Sequence, residues 1–71
     1  PRKVQQADLL DAAMETFTVK GFAPTRMEDI AERAGVSKGT LYLYFPSKEA
    51  MFEALVRDRL VPNIAAAEAL L

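Results

Sequence analysis

The chain has 71 residues, enough for one domain with a small core, and its 51% hydrophobic and 27% charged residues are typical of a folded globular protein. Cysteine and histidine are absent, which excludes disulfides, zinc–thiolate sites and catalysis that needs either side chain. No apolar run approaches the roughly 20 residues of a membrane span, and the first residues lack the apolar core of a signal peptide. We therefore expect a cytoplasmic protein with no metal, no cofactor and no membrane partner.

The overall charge of −1 hides a local excess of positive charge. Residues 8–32 carry six acids and two bases, whereas residues 33–48 carry Arg33, Lys38 and Lys48 and no acid. A field of one sign at one surface attracts a polyanion even when the whole protein is nearly neutral. Residues 33–48 are therefore a candidate surface for nucleic acid.

Helical periodicity follows a short basic arm, residues 1–6, and runs from about Gln6 to Lys20. Gly21 is the expected end of this first helix, because glycine readily adopts the left-handed conformation that ends helices. Phe22 is expected to tuck under the bundle. The apolar positions of this predicted helix are Leu9, Leu10, Ala13, Met14 and Phe17.

Hydroxyl residues mark the predicted starts of the next two helices. Thr25, followed by Glu28 three residues later, has the capping-box pattern and predicts a second helix from about Arg26 to Ala34. Ser37 is the predicted cap of a third helix, from about Lys38 to Phe45.

A fourth helix is predicted after Pro46, which cannot continue the third. Ser47 is its expected cap, Pro62 breaks or kinks it, and a further helix is expected to begin in the last ten residues. The apolar positions that repeat with helical period are Met51, Phe52, Leu55 and Val56.

The second and third predicted helices have the spacing of a helix-turn-helix. Ala31 is small where two crossing helices approach, Gly35 suits the turn, and Val36 and Leu41 fill the angle between the helices. The sequence thus predicts an all-α fold, a small helical bundle with a homeodomain-like three-helix core plus a fourth helix. In such motifs the second helix of the pair enters a major groove of DNA.

The second, third and fourth helices are each predicted to begin with a hydroxyl cap followed by a base. A cation in the first turn opposes the helix dipole, at a cost of roughly 0.3 to 1 kcal/mol. A phosphate bound by the free N–H groups, the hydroxyl and the cation would explain this choice, whereas bases placed by chance on the surface are the alternative. The three pairs are Thr25-Arg26, Ser37-Lys38 and Ser47-Lys48.

The third helix is predicted to present aromatic and apolar side chains to solvent. If Leu41 faces the core, then Thr40, Tyr42, Leu43 and Tyr44 point partly or wholly outward. Such a face suits thymine methyls and phosphate oxygens in a major groove, although a protein interaction patch is the alternative. Gly39 lies in the same helix, where glycine costs about 1 kcal/mol relative to alanine, so a close approach of the backbone to DNA is its simplest benefit.

Residues 35–39 also spell the G-x-S-x-G motif of serine hydrolases. That motif requires a preceding strand, a supporting sheet and a histidine base, whereas here a predicted helix precedes it and histidine is absent. The acids Glu28, Asp29 and Glu32 lie together on one short helix, as a solvated face or as partners of Arg33. We therefore expect no enzymatic activity.

These residues resemble the N-terminal DNA-binding domain of the tetracycline-repressor (TetR) family of bacterial transcription regulators. The resemblance covers about residues 8–56 and is more specific than a bare helix-turn-helix. The matching residues are Gly21-Phe22, Thr25, Asp29-Ile30-Ala31, Ala34-Gly35-Val36-Ser37, Gly39-Thr40-Leu41-Tyr42, Tyr44-Phe45 and Ser47-Lys48-Glu49.

The resemblance implies a role for each matching site residue. Thr40 corresponds to a base-reading residue, while Arg26 and Leu43 fall at variable positions that suit specificity. Members of the family continue into a helical domain that binds an effector and forms the dimer, so residues 61–71 would be the start of that domain. Phosphate contacts are implied for Tyr42, Tyr44 and Lys48, and capping contacts to the backbone for Thr25 and Ser37.

The leading hypothesis is sequence-specific binding of double-stranded DNA by residues 1–60. The complete protein would be a homodimeric repressor on a palindromic operator, released by a small-molecule effector. The competing hypothesis is a non-catalytic interaction module that docks a partner helix on Tyr42, Leu43 and Tyr44. The absence of acids from residues 34–47 favours DNA, because a protein interface has no need of it.

Overall fold

The computed structural model describes residues 5–60, and this part of the chain is helical with no strand. Its elements are α1 (Gln6–Lys20), α2 (Met27–Ala34), α3 (Lys38–Tyr44) and α4 (Lys48–Leu55), which continues as a π-helical segment (Val56–Leu60). This confirms the predicted all-α class and the order of the four helices. Three predictions lie outside the described residues: most of the basic arm, the break at Pro62 and the final helix.

One side chain from each helix meets at the centre of the bundle. Leu9 of α1, Ile30 of α2, Leu41 of α3 and Met51 of α4 are all completely buried. Burying an aliphatic side chain of this size contributes about 1.5 to 3 kcal/mol. α1 packs against both α2 and α4, while α3 contacts α2, so these four residues join all the helices in one small core.

α1 has the predicted bounds but buries a wider face than predicted. Met14 is exposed, whereas Ala12 and Thr16 are buried. The Thr16 hydroxyl donates to the Ala12 carbonyl at 2.7 Å, which satisfies its polar group inside the helix. The prediction missed Thr16 because a hydroxyl residue was not counted as a core residue.

The loop between α1 and α2 is closed by hydrogen bonds within itself. Gly21 ends α1 at φ 88°, as predicted, and the Thr25 hydroxyl donates to the Gly21 carbonyl at 2.6 Å. The Thr25 N–H donates to the Phe22 carbonyl at 3.2 Å. Because Thr25 is only 2% exposed, its hydroxyl is held inside the loop and does not face solvent.

The predicted cap of α2 is therefore wrong by one residue. Arg26, not Thr25, precedes the helix, and its N–H donates to the Asp29 carboxylate at 2.9 Å. Asp29, and not Glu28, thus supplies the acid of the helix start. The physical reason is that the Thr25 hydroxyl satisfies a carbonyl at the end of α1, where an unpaired acceptor would be costly.

The turn between α2 and α3 matches its prediction. Gly35 adopts the left-handed conformation, with φ 74° and ψ 29°. Its N–H donates to the Glu32 carbonyl at 3.1 Å, and the Val36 N–H donates to the Ala31 carbonyl at 3.0 Å. These bonds satisfy two carbonyls at the end of α2, and they turn the chain into the next helix.

Serine caps begin both α3 and α4, as predicted. Ser37 Oγ accepts from the Thr40 N–H, and Ser47 Oγ accepts from the Ala50 N–H, both at 3.1 Å. α3 ends one residue earlier than predicted, because Phe45 is already extended at φ −139°. In α4 the four apolar positions of the helical repeat are not equally buried. Met51 and Leu55 are buried, but Phe52 is 49% exposed.

Candidate nucleic-acid interface

α3 is anchored by two side chains and presents the rest of its length to solvent. Leu41 and Phe45, four residues apart, are buried in the core. This orientation turns Tyr42, Leu43 and Tyr44 outward, at 47%, 83% and 41% exposure. The predicted orientation of α3 is confirmed. A leucine so exposed in a helix this short gains nothing from the core of the described domain.

Gly39 lies on the same exposed surface, and the described fold does not require it. A Cβ added there would meet only Ser37 Oγ, at 3.9 Å, and Gly39 does not have a positive φ. Glycine inside a helix costs up to about 1 kcal/mol relative to alanine. Neither packing nor backbone conformation in the described fold therefore explains the glycine.

Ser37 and Thr40 form a small hydroxyl network at the start of α3. Ser37 Oγ accepts from the Thr40 N–H and donates to Thr40 Oγ1 at 2.9 Å. With both of these bonds made, the Ser37 hydroxyl hydrogen is used inside the protein. The Thr40 hydroxyl accepts from Ser37 and keeps its own hydrogen for a ligand. Of the two hydroxyls, that of Thr40 is therefore the one that can still donate to a ligand.

Arg26 and Lys38 are exposed bases at two helix starts. The Arg26 guanidinium lies 3.7 Å from the Glu28 carboxylate, and both side chains are more than half exposed. Such a pair is worth about 0 to 1 kcal/mol and is easily exchanged for another anion. The Lys38 ammonium makes no hydrogen bond or ion pair with any residue in the part of the chain that the structure describes. Both bases are thus available to a phosphate.

Lys48 at the start of α4 is held inside the protein instead. Its ammonium donates to the carbonyls of Phe22 at 2.8 Å and Ala23 at 2.9 Å, and it lies 4.5 Å from the centre of the Phe22 ring. These carbonyls are an internal partner for the base at this helix start, an explanation that sequence reasoning did not consider beside a phosphate or chance placement. The role of Lys48 as a phosphate contact stays a prediction.

Two ion pairs join α1 to α2 on a different face. Arg33 Nε lies 2.6 Å from the Glu15 carboxylate, and Lys20 Nζ lies 3.0 Å from that of Asp29. Arg33 thus pairs with an acid of α1, where the sequence had suggested the acids of α2. Because Arg33 is neutralised there, the positive charge available near α3 comes from fewer residues than the sequence count.

Asp29 carries the one resolved pKa shift among the titratable groups of residues 5–60. The hydrogen bond from the Arg26 N–H, followed by the one from the Lys20 ammonium, holds the pKa of the Asp29 carboxyl below its ordinary value. Both donors favour the charged form. The negative charge of Asp29 therefore stabilises the start of α2 and its attachment to α1.

Comparison with known proteins identifies the family. The family model of bacterial regulatory proteins, tetR family, matches residues 9–55. The chain belongs to the tetR family. This confirms the resemblance inferred from the sequence and a non-enzymatic, DNA-binding class of regulator.

The relatives extend well beyond the region shared with this tetR-family chain. The transcriptional regulator RutR of Escherichia coli K12 is 56% identical over 50 residues, which are 70% of this chain and 24% of RutR. The transcriptional activator FasR of Mycolicibacterium smegmatis is 40% identical over 67 residues, 90% of this chain and 31% of FasR. The chain therefore spans about a quarter to a third of these curated relatives.

A solved structure shares the fold. The fatty acid degradation regulator FadR from Bacillus halodurans superposes with a TM-score of 0.81 at 27% identity. The match covers 97% of this chain and 38% of FadR. The arrangement of the tetR-family helices seen here is thus the arrangement of a known regulator.

Sequence reasoning missed an aromatic cluster beside the interface of this tetR-family chain. The ring of Phe22 lies 5.1 Å from that of Phe17 and 5.4 Å from that of Phe52, centre to centre. Lys48 and Phe52 are four residues apart on α4, a spacing that indicates a shared face. That signal was available, but the loop that this face contacts could be found only from the tertiary structure.

Outside α3, the described surface also includes a groove on the face of the two ion pairs. This groove of about 480 Å³ between α1 and α2 is lined largely by the ion-paired side chains of that face. Within residues 5–60, no three acidic side chains converge closely enough to hold a metal ion. No helix there combines the length and the apolar character needed to cross a membrane. α3 and its flanking helix starts remain the candidate site.

Proposed function

We propose that this chain binds double-stranded DNA in a sequence-specific manner, with α3 in the major groove. The observation that carries the proposal is the outward face of α3. Two buried anchors, Leu41 and Phe45, fix the helix, and they leave Tyr42, Leu43 and Tyr44 exposed on a helix end that no described element covers. A short helix held in this way is what a major groove about 12 Å wide admits.

Phosphate contacts in this proposal come from bases at two helix starts and from the tyrosines of α3. Lys38 at the start of α3 and Arg26 at the start of α2 are exposed bases, and the free N–H groups of helix starts add partial positive charge. Tyr42 and Tyr44 are also exposed, on the two flanks of Leu43, and each carries a phenolic hydroxyl. Such contacts set the orientation of a protein on the duplex but carry no base information.

We assign base recognition to Thr40 and Leu43, which would contact the base edges in the major groove. The Thr40 hydroxyl can donate to a base edge, and its methyl group and the Leu43 side chain suit thymine methyls. Gly39 lets the backbone of α3 approach the DNA closely, since a side chain there would point into the gap. Leu43 and Arg26 are the residues that we expect to distinguish the operator of this protein.

The complete protein is proposed to be a cytoplasmic, homodimeric regulator of a palindromic operator. The tetR-family relatives are three to four times as long as the matched region, which leaves room for an effector and dimer domain. Occupancy of an operator blocks a promoter most simply, so we propose repression that a small-molecule effector relieves. The name of FasR includes the word activator, which makes activation the alternative outcome for operator binding.

The salt dependence of operator binding tests the proposal. An operator is selected from a random duplex library, and its affinity is measured by fluorescence anisotropy across salt concentrations. Each phosphate neutralised adds about −0.9 to the slope of log K against log salt. We expect a steep wild-type slope and a loss of about one unit of slope in Lys38→Gln.

The matched control is Arg57→Gln, which removes one exposed positive charge from the π-helical segment that follows α4. We expect it to leave the slope and the selected sequence unchanged. Equal effects of the two substitutions, or wild-type binding with no salt dependence, would contradict the proposal. Leu43→Asp with unaltered DNA binding but lost affinity for a protein partner would favour the interaction module instead.

A further inference from the structure

We propose that Lys48 is a positioning residue for DNA binding, because its ammonium ties the start of α4 to the loop that leads into α2. The inference rests on the proposed function and reassigns one residue of it. An ammonium has three N–H donors. Two of them are used inside the protein, on the carbonyls of Phe22 and Ala23 at 2.8 and 2.9 Å.

The contact between α4 and the loop has a polar and an apolar part, and both are centred on Phe22. The Lys48 ammonium lies 4.5 Å from the centre of the Phe22 ring, and Phe52, one helical turn further along α4, meets the same ring at 5.4 Å. Phe17 of α1 completes this cluster of three rings, and its ring centre lies 5.1 Å from that of Phe22. α4 therefore contacts the Phe22 ring through two side chains, those of Lys48 and Phe52.

The Phe22 carbonyl links the Lys48 contact to the residues just before α2. The Phe22 carbonyl accepts from the Lys48 ammonium at 2.8 Å and also from the Thr25 N–H at 3.2 Å. Thr25 directly precedes Arg26, which is the residue just before α2. Displacing Lys48 would thus release the acceptor that shapes the last turn of the loop, only a few bonds from the Arg26 side chain.

The function of the tie follows from where its two ends lie. One end is the start of α4, and the other is the loop that leads into Arg26, a proposed phosphate contact. In this proposal the ammonium stays on the two carbonyls and does not reach a phosphate, so it contributes little to counterion release, but it keeps the loop and Arg26 in place. Lys48 acts on DNA through the loop and Arg26.

The test compares Lys48→Met with Lys38→Met, since methionine keeps an unbranched apolar stem and removes the charge in both. Amide NMR spectra of the free proteins report the loop, and operator affinity across salt concentrations reports phosphate neutralisation. For Lys48→Met we expect shifted amides at Ala23, Thr25 and Arg26, an affinity about tenfold weaker, and a nearly unchanged salt slope. For Lys38→Met we expect unmoved loop amides and a slope lowered by about 0.9.

A double-mutant cycle with Arg26→Gln separates positioning from a general loss of structure. We expect Lys48→Met to weaken binding less in the Arg26→Gln background, because part of its effect acts through Arg26. Equal losses in both backgrounds would overturn the positioning role. If Lys48→Met does not fold, Lys48→Gln takes its place, because the glutamine amide can still donate a hydrogen bond to the loop. For Lys48→Gln we expect loop amide shifts and an operator affinity close to those of the wild type.

The two ways of failing are distinguishable. A wild-type chain that binds no duplex DNA would overturn the proposed function. Wild-type binding together with a Lys48→Met variant of reduced slope and unmoved loop amides would overturn the positioning role alone, because Lys48 would then contact a phosphate directly.

Discussion

Neighbouring residues of α3 have opposite environments, and that contrast carries most of the functional information. Leu41 is completely buried, whereas Leu43, two residues later, is 83% exposed. The two leucines have the same hydrophobicity, so composition does not distinguish them. Their positions along α3, counted from the turn at Gly35, decide which leucine faces the core and which faces solvent. The same comparison applies to the glycines, because Gly35 has a left-handed backbone and Gly39 does not.

Gly39→Ala is expected to separate stability from DNA binding. The added Cβ meets no close neighbour, and alanine has the higher helix propensity, so the free energy of unfolding should rise by up to about 1 kcal/mol. Operator affinity should fall, because the methyl group occupies space that we assign to DNA. Urea unfolding and fluorescence anisotropy measure the two quantities.

The control is Gly35→Ala, which also adds one methyl group. Gly35 has φ 74°, where a residue with a Cβ is strained by roughly 1 to 2 kcal/mol, so this variant should be less stable. A Gly39→Ala protein that keeps full operator affinity would show that the glycine has no role in binding.

At the scale of helices, the three starts that look alike in the sequence are three different structures. Serine caps precede α3 and α4. Arg26 precedes α2, and there the Asp29 carboxylate accepts from the Arg26 N–H. The bases that follow also differ, since Lys38 is open to solvent and Lys48 is bound to two carbonyls. A cap and a base in sequence therefore do not define a phosphate site without the tertiary neighbours.

The pH dependence of stability should report the Asp29 contact. Because the folded protein lowers the pKa of Asp29, its charge stabilises the fold above the unfolded pKa of about 3.9, and this contribution is lost as the pH falls through the lowered folded value. Asp29→Asn should therefore be less stable than the wild type at pH 7. The difference should shrink towards roughly pH 3. Urea unfolding across this range measures it.

Glu32→Gln is the matched control on the same helix. It removes one negative charge from α2 and leaves the Lys20–Asp29 pair intact. Its stability should follow that of the wild type at every pH. If the difference between Asp29→Asn and the wild type stayed constant down to pH 3, the carboxylate charge would not be the stabilising group.

At the scale of the whole molecule, the interface depends on a very small core. Four fully buried side chains, one from each helix, join the bundle, and α3 contributes Leu41 to that set. A chain of this size buries only about 60% of its unfolded surface, so few contacts support each helix. The position of α3 is consequently tied to the stability of the entire domain.

Leu41→Ala and Leu43→Ala should differ in their effect on stability and in the reason why each weakens binding. Loss of the buried Leu41 side chain should cost about 2 to 5 kcal/mol of unfolding free energy, a large fraction of the total for a small domain. Loss of the exposed Leu43 side chain should change it by less than about 0.5 kcal/mol. Circular dichroism during urea unfolding measures both.

Operator binding completes the comparison of the two leucines. Leu43→Ala should weaken the selected operator while the domain stays fully folded, because it removes only the proposed contact to DNA. Leu41→Ala should lose binding in proportion to its unfolded fraction. Unchanged operator affinity in a folded Leu43→Ala protein would remove Leu43 from the recognition surface.

The helices, the turn and the family of this protein can be predicted from its amino-acid sequence. Apolar spacing, Gly35 and the serine caps act over one or two turns of chain, so local physics sets these features and a local pattern reveals them. The outward direction of Tyr42 and Leu43 follows from the same periodicity. The pattern therefore predicts the helix-turn-helix with helix ends correct to within one residue.

Which polar groups are free depends instead on how the helices pack. Thr25 is a helix cap by its sequence pattern but is buried against Gly21, Arg33 pairs with Glu15 of another helix, and Lys48 binds the loop before α2. Each of these contacts joins groups that the tertiary structure brings together. A hydrogen bond or ion pair goes to whichever group lies nearest in space, and the sequence does not show that distance.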